Sequence, residues 1–191
     1  MDLVFIRHGQ GEHTLNLPSS LHLPDPSLTF KGIEQAKLLR DQLPLTTKDI
    51  IIISPTRRTI ETSLIWSEHV NCRKIVSPIV SPRMFPIRPG SNTLSCDKIL
   101  SKEVIKSDFP YVEIDQILNL NLWSDGINTL PEIEFRILAE KFIMKWKELK
   151  KDKIFIVSHD GTITSYRQMI SGKSLSRKDF LQETEWVQIR H

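Results

Sequence analysis

The sequence predicts an α/β fold, a three-layer α/β/α sandwich around a mostly parallel central sheet. Three short apolar runs, at residues 3–6, 50–53 and 154–157, indicate buried parallel strands. Helical segments with one apolar face lie between these runs, and this alternation is typical of a sheet covered on both sides. Polar residues follow each run, so a ligand is expected at the carboxyl ends of the strands.

Three strands and two helices are expected in the first half of the chain. They lie, in order, at residues 3–6 (strand), 29–43 (helix), 50–53 (strand), 57–68 (helix) and 74–80 (a weaker strand). Thr29 is a suitable N-cap for the first helix, whose apolar residues recur on one face. Pro78 weakens the last strand, because proline removes a hydrogen-bond donor from the sheet.

Residues 82–128 have a different composition. Prolines and glycines interrupt them, and only residues 97–106 have a helical pattern. Long irregular segments in compact domains are usually functional. We therefore interpret this stretch as a cap inserted over the sheet.

The last part of the chain returns to alternating helices and strands. Thr129 and Glu132 form a capping-box pattern at the start of a helix that reaches about residue 150. The elements expected after it are a strand at 153–157, a helix at 162–170 and a strand at 186–189. Because a chain of 191 residues can bury a core of its own, we expect a single domain over residues 1–191.

Composition and charge argue against several classes of protein. The net charge of +3, from 26 Lys+Arg and 23 Asp+Glu, is too small and too scattered to indicate a nucleic-acid partner. The chain has no signal-peptide pattern and no apolar stretch long enough to span a membrane. Cys72 and Cys96 lack the spacing of a metal site or a disulfide framework. We therefore expect a cytoplasmic protein that needs no metal and no cofactor.

Histidines and arginines follow the three apolar strands. Arg7 and His8 follow the first strand, Arg57 and Arg58 follow the second, and His159 follows the third. An arginine at a buried strand end is poorly tolerated unless it is paired with an anion. Arginines bind phosphoryl oxygens bidentately, and a neutral imidazole can attack phosphorus to form a phosphohistidine. The set therefore indicates a site for phosphoryl transfer.

Four motifs occur in order between residue 3 and about residue 170. They are Arg7-His8-Gly9, Leu28-Thr29-x-x-Gly32-x-x-Gln35-Ala36, Ser54-Pro55-x-x-Arg58-x-x-x-Thr62 and Val157-Ser158-His159-x-Gly161. In this combination they resemble the motifs of the histidine phosphatase superfamily, branch 1, the phosphoglycerate mutase-like group. The resemblance implies the phosphoglycerate mutase-like sandwich and a small phosphorylated substrate.

The resemblance also assigns roles to individual residues. It implies that His8 is the phosphorylated nucleophile and that Arg7, Arg58 and His159 form the phosphate pocket. Arg57 then takes the variable position before the pocket arginine.

Gln10 and Asn16 would contribute polar contacts with the substrate, according to the same resemblance. Both follow the nucleophile in the loop after the first strand.

The proton donor is the point where the chain departs from the family. Many members carry a glutamate acid soon after the third strand, whereas residues 83–90 contain no carboxylate. Asp160 is the first candidate, because His159-Asp160 resembles the His-Asp pair that supplies the acid in branch 2. Asp97 is the second candidate and Glu103 a distant third.

A phosphomonoester phosphatase that acts through a phosphohistidine on His8 is the leading hypothesis. A phosphoglycerate mutase is the second, although the chain is shorter than typical cofactor-dependent mutases and lacks the glutamate. A catalytically weak module that binds phosphorylated ligands is the third, because the usual acid is missing. The sequence leaves the substrate and the oligomeric state open.

Overall fold

A central sheet of six strands organises residues 1–117 and 121–191, the part of the chain that the computed structural model describes. The strands are β1 (Asp2–Arg7), β2 (Ile50–Ile53), β3 (Arg73–Val76), β4 (Glu113–Ile114), β5 (Lys153–Ser158) and β6 (Trp186–Arg190). Their order across the sheet is β4-β3-β2-β5-β1-β6. Strands β1 to β5 run parallel, and β6 is antiparallel to β1. The predicted α/β class with a mostly parallel sheet is confirmed.

Helices cover both faces of this sheet. The α-helices of the described ranges are α1 (Phe30–Gln42), α2 (Arg57–Trp66), α3 (Lys102–Asp108), α4 (Asn121–Asp125), α5 (Glu132–Lys147) and α6 (Asp160–Ser171). Short 3-10 helices lie at Glu12–Thr14, Ser19–His22, Pro78–Val80, Ser95–Asp97 and Arg177–Asp179. Leu3 and Phe5 of β1 pack in one apolar cluster with α5 and α6, while Val4 and Ile6 pack in another with α1, α2 and α3. The result is the predicted three-layer sandwich.

The first half of the chain follows the predicted element boundaries closely. Thr29 caps α1, since its side-chain oxygen accepts a hydrogen bond from the Gly32 N–H over 3.0 Å. The weak strand ends at Val76, and Pro78 begins a 3-10 helix instead of continuing the sheet.

The capping box predicted at Thr129 is wrong. Helix α5 begins at Glu132 with Pro131 as its N-cap, and no side chain caps it. A proline disfavours helical geometry in the residue before it. Because Pro131 acts on Leu130 in this way, the helix cannot start as early as the capping pattern requires.

The segment 82–128 is more than a cap. Its residues Glu113 and Ile114 form β4, which pairs with Ile75 and Val76 of β3 at the edge of the main sheet. Its described helical parts are Ser95–Asp97, α3 and α4 rather than residues 97–106, and residues 118–120 lie outside the described residues. A strand of two residues carries too short a pattern for periodicity to reveal.

No helix in either described range is long and apolar enough to cross a membrane. Cys72 and Cys96 are both buried and free. Burial raises the pKa of the Cys96 thiol to about 11, so this thiol carries its proton at neutral pH.

The loop after β1 lies directly against the first turn of α1. The Gln10 carbonyl oxygen accepts a hydrogen bond from the Thr29 N–H over 2.9 Å. A Cβ atom added at Gly32 would stand 2.2 Å from that same oxygen, and one added at Gly9 would stand 2.6 Å from the Gly32 carbonyl oxygen. Glycine at both positions therefore lets α1 fix the loop that follows the first strand.

The variant Gly32→Ala tests this close approach. In a helix interior, alanine is ordinarily more favourable than glycine by about 1 kcal/mol. Here we expect the opposite sign, a loss of about 1–3 kcal/mol in the free energy of unfolding, because the methyl group must displace backbone atoms. Denaturant unfolding measures this difference. The matched control is Lys37→Ala on the exposed face of α1, which should change stability by less than about 0.5 kcal/mol. Equal stability of Gly32→Ala and wild type would contradict the tight contact.

Candidate active site

The carboxyl ends of β2, β5 and β1 lie side by side in the sheet. Strand β5 is central among the three. Its Ser158 carbonyl accepts a hydrogen bond from the His8 N–H over 3.1 Å, and its Val157 carbonyl accepts one from the Ser54 N–H over 3.0 Å. The rings of His8 and His159 have centroids 5.0 Å apart. The parallel sheet thus brings together two histidines from opposite ends of the chain.

Arg58, in the first turn of α2, links the two histidines. Its side chain is only 1% exposed. The Nε atom donates to His8 Nε2 over 3.3 Å, and Nη2 donates to His159 Nδ1 over 3.2 Å. Further contacts run to the Cys96 carbonyl at 2.7 Å and to the Asp97 carboxylate at 3.2 Å. Burial lowers the pKa of Arg58, and the negative charge of Asp97 opposes this effect.

Hydrogen-bond chemistry assigns the proton of each imidazole. A carbonyl oxygen can only accept and a guanidinium can only donate. His8 Nδ1, 2.7 Å from the Gly9 carbonyl oxygen, therefore carries the proton, and Nε2 holds the lone pair. In His159 the Nδ1 atom accepts, and Nε2 donates to Ser54 Oγ over 2.8 Å. Burial, followed by the positive charge of Arg58, lowers the pKa of both histidines well below 6.5.

Arg7 contributes a second guanidinium at the end of β1. Its Nη1 donates to the Leu181 carbonyl over 2.7 Å, and its Nη2 lies 3.2 Å from Asp160 Oδ2. The Nε atom is buried and has no hydrogen-bond partner among the described residues. Leaving a buried donor unpaired costs about 1–3 kcal/mol. A ligand that can accept a hydrogen bond is therefore favoured here.

Arg57 points away from the histidines. Its Nε donates to Asp25 over 2.6 Å, and its Nη2 donates to Asp108 over 2.7 Å. Adjacent residues of α2 thus serve different purposes: Arg58 lies between the histidines, whereas Arg57 ties the helix to two carboxylates outside the site.

Gln10 and Asn16 both lie on the loop after β1. The side-chain oxygen of Gln10 accepts a hydrogen bond from the Thr29 hydroxyl over 2.9 Å, so this residue also fixes the loop against α1. Asn16 is exposed and lines an open surface depression together with Leu15 and His22. The 3-10 helix Glu12–Thr14 turns the chain before residue 16, and a substrate contact by Asn16 stays a prediction.

The three candidate acids have different surroundings. Asp97 lies in the 3-10 helix Ser95–Asp97 beside Arg58, and burial raises the pKa of its carboxyl group although Arg58 opposes the rise. Asp160 begins α6; its Oδ2 forms an ion pair with Arg7 over 3.2 Å, and its Oδ1 accepts a hydrogen bond from the Gly161 N–H over 2.6 Å. Glu103 is exposed on α3.

His13 is a neighbour of the site that the sequence patterns missed. Its ring centroid lies 5.6 Å from that of His8, and its Nδ1 atom is buried without a hydrogen-bond partner in the described residues. Burial, followed by the charges of Arg58 and Arg7, lowers the pKa of His13 to about 3. A Cβ atom at Gly11 would stand 2.7 Å from His13 Nδ1, so the glycine makes room for the ring. The only sequence signal was this glycine, two positions before the histidine.

Helix termini add to the positive field of the cluster. Helices α2 and α6 both begin next to it, and the positive end of a helix dipole favours anions. No group of three or more His, Cys, Asp or Glu side chains in the described ranges could hold a metal ion. The arrangement offers two guanidinium groups for a tetrahedral anion and, at His8 Nε2, an unprotonated nitrogen.

Solved structures with a similar fold span nearly the whole chain. The α-ribazole phosphatase of Shigella flexneri is 21% identical, with a TM-score of 0.62 and coverage of 100% of this chain and 90% of that one. The ecdysone phosphate phosphatase of Bombix mori, in complex with tungstate, is 12% identical, with a TM-score of 0.65 and coverage of 100% and 89%. The phosphoserine phosphatase of Entamoeba histolytica, in complex with 3-phosphoglyceric acid, is 18% identical, with a TM-score of 0.60 and coverage of 98% and 89%. These likenesses show the fold.

A family model matches the first part of the chain. No curated protein matches the chain. Residues 3–86, which include β1, α1, β2 and α2 with His8 and Arg58, match the model of the histidine phosphatase superfamily, branch 1. The segment that contains His8 and Arg58 is therefore similar to the model of this superfamily.

Proposed function

We propose that the protein is a phosphomonoester phosphatase that acts through a phosphohistidine on His8. The observation that carries the proposal is the state of the His8 ring. Its Nδ1 proton is held by the Gly9 carbonyl, and its Nε2 lone pair faces the buried guanidinium of Arg58. A neutral nitrogen beside a fixed cation is what nucleophilic attack on a phosphoryl anion requires. The match of residues 3–86 to the family model and the phosphatases of the same fold support the proposal.

The phosphoryl group is bound by donors that are already in position. Arg58 can transfer its Nε hydrogen bond from His8 to a phosphoryl oxygen, which frees the nucleophile as the substrate binds. The unpaired Nε of Arg7 gains an acceptor. His159 supports the pocket through Arg58, since its neutral Nδ1 accepts a hydrogen bond from Arg58 Nη2. Charge-assisted hydrogen bonds of this kind are the strong ones in protein sites.

The reaction proceeds in two displacements. In the first, a bond forms between His8 Nε2 and phosphorus, the bond between phosphorus and the ester oxygen breaks, and the departing alkoxide takes a proton from a carboxylic acid. In the second, the resulting carboxylate removes a proton from a water molecule. The oxygen of that water attacks phosphorus, and the Nε2–phosphorus bond breaks. Inorganic phosphate and the neutral imidazole are the products. The phosphoryl group of the small substrate is therefore the group that is transferred in both displacements.

Asp97 suits the acid better than Asp160, which reverses the order expected from the sequence. An acid must hold its proton until the leaving group departs, and burial raises the pKa of Asp97 in the direction that favours this. Asp160 instead uses one oxygen on Arg7 and the other on the Gly161 N–H, so we assign to it the positioning of the Arg7 guanidinium.

His8→Ala tests the nucleophile. We expect turnover of para-nitrophenyl phosphate to fall by at least about a thousandfold, because the substitution removes the nitrogen that forms the covalent intermediate. Mass spectrometry under non-acidic conditions should find phosphate on His8 of the wild-type protein. The control is His22→Ala, an exposed histidine on the 3-10 helix Ser19–His22, which should retain full activity. A wild type without turnover would favour a binding module, and near-normal turnover in His8→Ala would exclude this nucleophile.

Asp97→Asn and Asp160→Asn separate the two carboxylates. A positioned general acid contributes about a hundred- to ten-thousandfold, and a good leaving group such as para-nitrophenol needs it far less. We expect Asp97→Asn to slow hydrolysis of an alkyl phosphate by that factor and to affect para-nitrophenyl phosphate little. Asp160→Asn should raise KM, and so lower kcat/KM, to a similar degree for both substrates. A loss in Asp160→Asn that depends on the leaving group would restore Asp160 as the acid.

The pH dependence follows from the same groups. Because the pKa of His8 lies well below 6.5, acidification through pH 6.5 should not remove the nucleophile. Asp97 donates only while it is protonated, so hydrolysis of alkyl phosphates should fall as the pH rises through its raised pKa. Profiles of kcat/KM against pH, corrected for ionisation of the substrate, measure the behaviour on the acid side and on the alkaline side. The alkaline fall should vanish in Asp97→Asn, and a wild-type loss centred at pH 6.5 on the acid side would contradict the neutral His8.

A further inference from the structure

A cavity of about 540 Å³ lies beside the phosphoryl-binding cluster. Asp97 and Asp160 line it, so it adjoins the position of the departing group. Other parts of its wall come from two segments that are far apart in sequence, residues 83–94 and residues 177–180. A hydrogen bond of 3.1 Å from Arg177 Nε to the Phe85 carbonyl joins these segments. The alcohol of a substrate bound by Arg58 would occupy this cavity.

Most charges on the cavity wall already have partners. Asp97 lies 3.2 Å from Arg58, and Asp160 lies 3.2 Å from Arg7. These two carboxylates are therefore not free to bind a cation.

Arg83 also lines the cavity, but both of its Nη groups already have partners. It donates to Glu132 over 2.9 Å and to the carbonyls of Ile127 and Leu130 over 3.0 and 2.8 Å. It also lies over the ring of Phe135, with its central carbon 4.2 Å from the ring centroid. We assign to Arg83 the structural task of holding the cap segment to α5.

Arg88 and Arg177 are the two cations of the cavity wall that remain. Both are exposed, and neither forms an ion pair with a carboxylate in residues 1–117 or 121–191. Arg177 uses only its Nε on the Phe85 carbonyl, which orients the guanidinium plane and leaves both Nη groups for another acceptor. Binding an anion here would break no existing ion pair.

Apolar side chains complete the wall. The rings of Phe85 and Phe180 pack with centroids 6.1 Å apart, and Phe85 is almost fully buried. Leu94 contributes a further apolar surface. The cavity thus combines an apolar surface with two unpaired guanidinium groups.

We propose that Arg88 and Arg177 bind a second anionic group, a carboxylate or a phosphate, on the alcohol portion of the substrate. The substrate class is then a phosphomonoester of an acidic alcohol with a short apolar body. A planar guanidinium suits both anions, because each presents two oxygens in a row. The inference rests on the phosphatase activity proposed above and adds the recognition of the leaving group.

Matched substrates test the proposal. Phosphorylated ω-hydroxy acids of increasing chain length are each compared with the corresponding primary amide, which keeps the shape and removes the charge. Bisphosphates of diols, compared with their monophosphates, report on a phosphate as the second anion. We expect kcat/KM to favour the anionic member by about tenfold or more at the best chain length, as charge-assisted hydrogen bonds allow. A preference only among the acids identifies a carboxylate, and one only among the bisphosphates identifies a phosphate.

Arg88→Gln and Arg177→Gln should each remove most of the preference for anionic substrates, because KM for those substrates should rise. Turnover of para-nitrophenyl phosphate, whose leaving group carries no second anion, should stay unchanged in both variants. Arg136→Gln, an exposed arginine on α5 that does not line the cavity, is the matched control and should keep the preference.

The two proposals fail in different ways. If the wild type hydrolyses para-nitrophenyl phosphate but treats acids and amides alike, or keeps its preference in both variants, the second-anion site is overturned while the phosphatase stands. If the wild type hydrolyses no phosphomonoester, the phosphatase falls and the leaving-group site falls with it.

Discussion

The burial of one positive charge, the guanidinium of Arg58, is the constraint on which the site depends. Removing an ion from water costs several kcal/mol unless its hydrogen bonds are replaced. The replacements come from separate parts of the fold: His8 after β1, His159 after β5, and the Cys96–Asp97 turn of the segment over the sheet. Sheet, helix α2 and overlying segment must therefore all be in place before the charge is tolerated.

Because Arg58 carries the positive charge, the histidines of the site can stay neutral. A protonated histidine would attract phosphate more strongly, but it would have no lone pair for attack. Arg58 and Arg7 hold the positive charge permanently, and together with burial they keep the pKa values of His8 and His159 low. Anion binding and nucleophilicity are thus assigned to different side chains, and neither weakens the other.

The sequence predicted the parts of the molecule where local pattern and tertiary role agree. Runs of four apolar residues became buried parallel strands, and the polar residues after them met at one edge of the sheet. It failed where a distant contact decides the outcome. The two residues of β4 depend on pairing with β3, the start of α5 depends on Pro131, and the ring of His13 depends on space at Gly11. The proposal of Asp97 in place of Asp160 as the acid rests on burial, which raises the pKa of Asp97 and cannot be read from a sequence.

The hydrogen bond between Arg177 and the Phe85 carbonyl joins two loops whose sequences can change the leaving-group specificity of the protein during evolution. Much of the cavity wall comes from two loops that contribute neither His8 nor Arg58, so insertions and substitutions in them leave the phosphoryl-binding cluster intact. Asp97 and Asp160 are exceptions, because Asp97 touches Arg58 and Asp160 touches Arg7. Over evolutionary time, new leaving groups can be explored by changing these loops at little cost to phosphoryl transfer, provided that the carboxylate at position 97 stays in register with Arg58.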